Sequence, residues 1–116
     1  MADKEKKYEV IFCIINTGFV DTVMYAARKA GATGGTIMKG HGAGSLEAEE
    51  VFNITIQPEK EVIMILVPAE IKDDVMKSIY TTAGLDSEGH GIIFSLPVTK
   101  TAGLRDFEEK AETNAD

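Results

Sequence analysis

Two segments of this chain are apolar on both sides of an extended backbone, which limits its fold more than any other feature. In Tyr8-Glu-Val-Ile-Phe-Cys-Ile-Ile15, Val10, Phe12 and Ile14 interleave with Ile11, Cys13 and Ile15. From Val62 to Val67, Val62, Met64 and Leu66 interleave with Ile63, Ile65 and Val67. Successive side chains of a strand point to opposite faces, so a sheet built on both segments has no polar face to offer water. Neither run approaches the roughly 18 apolar residues that span a bilayer. Leaving such side chains exposed would forgo roughly 1.5–3 kcal/mol each, so the second face is expected to be covered by other copies of the chain.

The segments around these runs supply the remaining elements. Val20, Val23, Met24, Ala27 and Ala30 share one helical face, which predicts a helix over Phe19 to Ala30, capped by Asn16 or Thr17 and stopped by Gly31. Thr33 to Lys39 predicts a second strand that runs into Gly40-His-Gly-Ala-Gly44. Ser45 to Glu50 reads as the connection of a hairpin. Val51 to Ile56 and the stronger strand Lys60 to Val67 follow, split where Pro58 interrupts pairing. Pro68 is expected to open a second helix in which Ile71, Val75 and Ile79 repeat, with Met76 beside them. Gly84 to Gly91 is a loop, and Ile92 to Val98 is the last strand. Residues 105–116 hold two basic and five acidic side chains and read as a flexible acidic tail. Residues 1–104 therefore read as one α+β domain of order βαββαβ. This is a ferredoxin-like sandwich with a four-stranded antiparallel sheet, strand order 4-1-3-2 and both helices on one face.

Charge narrows the function. Twelve Lys and Arg against nineteen Asp and Glu give a net charge of −7, and a chain short of cations is a poor partner for nucleic acid. With no spanning run and no apolar leader behind the charged start, the expected location is cytoplasmic. Cys13, the single cysteine, sits inside an apolar run and is expected to be an inert core thiol.

Phosphate-loop and dinucleotide fingerprints are missing, and Ser45 is not in a nucleophile elbow. No nucleophile or acid–base pair stands at a defined spacing, so the chain does not read as an enzyme. Two loops of matching form, Gly40-His-Gly42 and Gly89-His-Gly91, hold both histidines between glycines. Glycine lets backbone N–H groups come close to a ligand, so the loops read either as parts of a ligand cleft or as tight turns with solvated histidines. A metal site of His41 and His90 with Glu88 or Asp86 is the alternative chemistry.

The order of these pieces resembles the P-II signal-transduction proteins across nearly the whole globular part. The stretches that carry the likeness are Gly31-Ala-Thr-Gly34, Thr36 through Gly44, Ile63 to Pro68, and Gly89-His-Gly-Ile-Ile-Phe-Ser-Leu-Pro-Val98. The resemblance implies a homotrimeric regulator that binds an adenine nucleotide between subunits and controls a membrane transporter or metabolic enzyme, with a role in nitrogen metabolism. It places Ile14, Gly34, Thr36 and Leu66 around the adenine and Gly42 and Gly44 at the base of the family's long T-loop. Gly89, His90 and Gly91 match a phosphate-wrapping Gly-Asp-Gly, and Ser45 falls at a ligand-binding position where the family has Arg.

Other positions depart from the family. Ile92 and Asn16 stand where it has Lys, Met64 where it has Glu, and Thr99 to Arg105 lacks its paired arginines. Each lost charge-assisted hydrogen bond removes roughly 1.5–3 kcal/mol, which favours AMP or ADP over ATP. No Tyr lies between Gly44 and Pro58, and Glu47-Ala-Glu-Glu50 would repel an anionic co-ligand. The chain thus reads as a divergent P-II-like protein with a short T-loop, and the alternative is a metal-binding or metal-tolerance trimer.

Overall fold

The computed structural model describes residues 6–43, 59–86 and 91–104. The chain runs β1 (Tyr8–Asn16), α1 (Val20–Lys29), β2 (Thr36–His41), β3 (Glu59–Pro68), a 3₁₀ turn (Ala69–Ile71), α2 (Lys72–Thr82) and β4 (Gly91–Val98). The strands form one antiparallel sheet in the order β2-β3-β1-β4. This is the α+β ferredoxin-like arrangement expected from the sequence. The two doubly apolar segments, β1 and β3, occupy its centre.

Alternation sorts their side chains. Ile11, Cys13 and Ile15 of β1 and Ile63, Ile65 and Val67 of β3 are buried in one cluster with Val23, Met24, Ala26 and Ala27 of α1 and Val75 and Ile79 of α2. The two helices are tied where the Ser78 hydroxyl donates to the Ala26 carbonyl at 2.8 Å. Burial pushes the Cys13 thiol up to about 11, so it stays protonated and unreactive near neutral pH.

Among the described residues, the opposite face carries no helix. It presents Val10, Phe12 and Ile14 beside Val62, Met64 and Leu66, and at the β4 edge Ile92, Phe94 and Leu96 are 58%, 39% and 49% exposed. Phe12 and Phe94 pair across β1 and β4 and stack at 5.4 Å between centroids.

Local expectations fail where tertiary partners win. Asn16 and Thr17 do not cap α1, whose N-cap position is Phe19 without a side-chain cap. Instead Asn16 Oδ1 accepts from Lys60 Nζ at 2.6 Å, and Thr17 Oγ1 donates to the Glu59 carbonyl at 3.5 Å. Asp21 supplies the negative charge that the start of a helix favours. Gly31 does end the helix, at φ +114°, with its N–H on the Arg28 carbonyl.

Pro68 stands at the N-cap of a 3₁₀ helix, Ala69–Ile71, and not at the first position of α2. It is the last residue of β3, paired with Tyr8, and the 3₁₀ turn comes between it and α2. β2 starts three residues later than expected, at Thr36, and continues through Gly40 to His41 because β3 extends back to Glu59 and pairs with it. The expected strand over Val51 to Ile56, the hairpin connection and the tail at 105–116 lie outside the described residues.

Candidate functional site

The α1–β2 link and the open sheet face together form a groove of about 550 Å³. Val10, Thr33, Gly34, Gly35, Thr36, Met64, Leu66, Val98 and Leu104 line it. The register explains the floor: Val10 lies opposite Leu66, and Thr36 opposite Met64, so the four side chains emerge from neighbouring strands on one face. Val98 enters from the end of β4, and Leu104 closes one side after the chain leaves that strand.

Gly35 lets the link lie close to the sheet. An added Cβ there would stand 3.2 Å from Ile65 Cγ1 and from the Met64 carbonyl oxygen, and 3.4 Å from Met24 Sδ. At Gly34 the same atom would meet nothing within 4 Å, so its backbone faces open space.

The groove is chemically simple. Among the described residues that line it none is charged; apolar side chains form its floor, while two threonines and two glycines provide hydroxyl and backbone groups at the rim. Such a surface suits a flat, weakly polar ring that hydrogen-bonds at its edge. Lys60 is on the same face of β3, four residues from Met64 or roughly 13 Å along the strand. A ligand that carried a negative charge at that distance from its ring could reach the ammonium, in competition with Asn16.

Of the residues singled out in the sequence, Gly34, Thr36 and Leu66 come together in this groove. Ile14 shares the open face but sits beyond the groove, between Val62 and Ile92. His41 and Gly42 are at the far end of β2, with His41 exposed. Gly91 begins β4 opposite Ile15. Gly44, Ser45, Glu88, Gly89 and His90 lie outside the described residues.

His41 and Gly91 are at the same end of the sheet but on opposite edge strands, three strand spacings or roughly 14 Å apart. Within one chain the two strand ends that lead into the glycine loops therefore lie on opposite edges of the sheet. Among the described residues, no three His, Cys, Asp or Glu side chains cluster as metal ligands.

Val10, Thr33, Gly35, Val98 and Leu104 belong to the groove without having been singled out. Alternation from Ile14 back to Val10 could have found the first, and adjacency to Gly34 and Thr36 the next two. Nothing local marks Leu104, which is far along the chain from the α1–β2 link with which it lines the groove.

No curated protein sequence matches the chain. Its fold is similar to a crystal structure of Arabidopsis thaliana PII bound to citrate, at 24% identity and TM-score 0.63, covering 82% of this chain and 80% of that one. It is also similar to a B. subtilis GlnK–ATP complex, at 20% identity and TM-score 0.66, covering 80% of this chain and 83% of that one. The family described as Nitrogen regulatory protein P-II matches residues 8–108. With the whole described sheet and both helices inside that span, the chain belongs to the nitrogen regulatory protein P-II family.

Proposed function

We propose that the protein is a cytoplasmic signalling regulator that assembles as a homotrimer through its open sheet faces and senses an adenine nucleotide in clefts between the copies. The observation that carries the nucleotide reading is the meeting of Gly34, Thr36 and Leu66 in one uncharged groove with apolar walls. An adenine ring fits that chemistry, and Val10, Met64 and Leu66 offer it a floor. The B. subtilis relative in complex with ATP and the plant relative with citrate support a small anionic ligand on this fold.

The phosphate end differs. Ile92 projects from the open face, 58% exposed, where the family resemblance leads one to expect a cation. Lys60 is a cation at that end of the same face. AMP and ADP, with fewer phosphate charges to satisfy, are therefore the proposed ligands ahead of ATP. Binding changes the preferred state of the segment between Gly40 and Gln57 and through it the affinity for a partner, a membrane transporter or a metabolic enzyme in nitrogen metabolism.

Isothermal calorimetry against AMP, ADP and ATP, each with and without magnesium, tests the ligand. Saturable binding of AMP or ADP more tightly than ATP is expected. Ile92→Lys should raise ATP affinity by about tenfold, the worth of one charge-assisted hydrogen bond. Silence with every nucleotide would overturn the reading.

A further inference from the structure

A second groove, of about 520 Å³, lies on the flank of α1 and is lined by Asp21, Met24, Tyr25, Arg28 and Lys29. Tyr25 is 63% exposed, and Lys29 Nζ stands 5.9 Å from the centre of its ring. Cations in the last turn of a helix complement its dipole, which accounts for the charge of Arg28 and Lys29 but not for the uncovered ring between them and Asp21. An aromatic surface flanked by two cations suits an occupant that brings an apolar side chain and several carboxylates.

The chain carries such a segment within reach. Leu104, the last described residue, lines the sheet groove beside Thr33, Gly34 and Gly35. Gly35 backs directly onto Met24, whose sulfur is 3.4 Å from where a Cβ on that glycine would stand. Met24 in turn lines the α1 groove. Twelve residues follow Leu104 and can extend up to about 40 Å. They place Phe107 among Asp106, Glu108, Glu109 and Glu112.

We propose that the flank of α1 is the docking surface for the chain's own residues 105–116, with Phe107 against Tyr25 and the neighbouring carboxylates against Arg28 and Lys29. The charges meet at an exposed surface, so docking weakens as salt rises. The proposal does not depend on whether the sheet groove takes a nucleotide.

The chain contains no Trp, so Phe107→Trp supplies a single fluorescent reporter in the full-length protein. Its emission should be blue-shifted and its acrylamide quenching severalfold lower than in the same protein carrying Arg28→Glu and Lys29→Glu. Adding Glu108→Lys and Glu109→Lys to that variant should restore the protection. Quenching that is the same with and without the helix substitutions, whether high or low, overturns the proposal. So does a loss of protection that the charge exchange fails to rescue.

Discussion

Phe94→Glu is expected to convert the proposed homotrimer to single chains. Phe94 is 39% exposed on the open sheet face, stacked on Phe12, with Ile92 and Leu96 two residues to either side. In an assembly whose sheets turn inward, the new carboxylate would be buried without a partner. Desolvating an unpaired charge costs several kcal/mol in each copy, and the aromatic stack is lost with it. Association should weaken by a factor of about a thousand or more, so sedimentation of the variant at micromolar concentration reads one chain. Tyr80→Glu is the control, because Tyr80 is 45% exposed on α2 and a charge there stays in water. If wild type and Phe94→Glu sediment alike, the open face is not what holds copies together.

Gly91→Ala is expected to cost roughly 2–4 kcal/mol of stability, combining left-handed backbone strain with a steric clash. Gly91 starts β4 at φ +145°, and an added Cβ would stand 2.6 Å from the Ile14 carbonyl oxygen and 3.0 Å from Ile15 Cγ2. The oxygen belongs to the backbone of the central strand, so relief requires opening the β1–β4 ladder at the Ile15–Gly91 pair. Thermal unfolding should show a midpoint lower by roughly 10 °C or more. Gly40→Ala, whose Cβ would meet nothing within 4 Å, should leave the midpoint within a few degrees of wild type. Equal midpoints for the two variants would mean that the close approach of β4 to Ile14 is not a constraint. The glycine thus has a packing reason to be there besides the phosphate contact that family resemblance assigns to its position.

What the sequence made legible was what side-chain alternation and helical repeat encode directly. Both central strands, the apolar open face, the Val75–Ile79 face of α2 and the strand order follow from patterns spread over many residues. Those patterns survive because burial of several side chains outweighs any single local preference. The failures are single-residue decisions settled by distant groups. Asn16 and Thr17 have good capping chemistry, but Lys60 and Glu59 arrive across the β1–β3 pairing and take their side chains. Pro68 has helix-opening chemistry, yet pairing with Tyr8 makes it the last residue of β3, so it caps the 3₁₀ helix and α2 starts four residues later.

The candidate site divides the same way. Gly34, Thr36 and Leu66 were legible through the family's order of motifs, whereas Leu104 joins them only because the chain turns back after β4. His41 and Gly91 belong to loops of matching form in the sequence. The strand order sends them to opposite edges, a separation no local spacing reveals.

Three copies are proposed to share their sheet faces and hold an adenine nucleotide in equivalent clefts. Native mass spectrometry of the protein with AMP tests assembly and ligand in one spectrum. A dominant species of roughly 37.5 kDa, three times the 12.5 kDa chain, carrying up to three nucleotides is expected. A dominant single chain, or a trimer that stays bare at every AMP concentration, would contradict it.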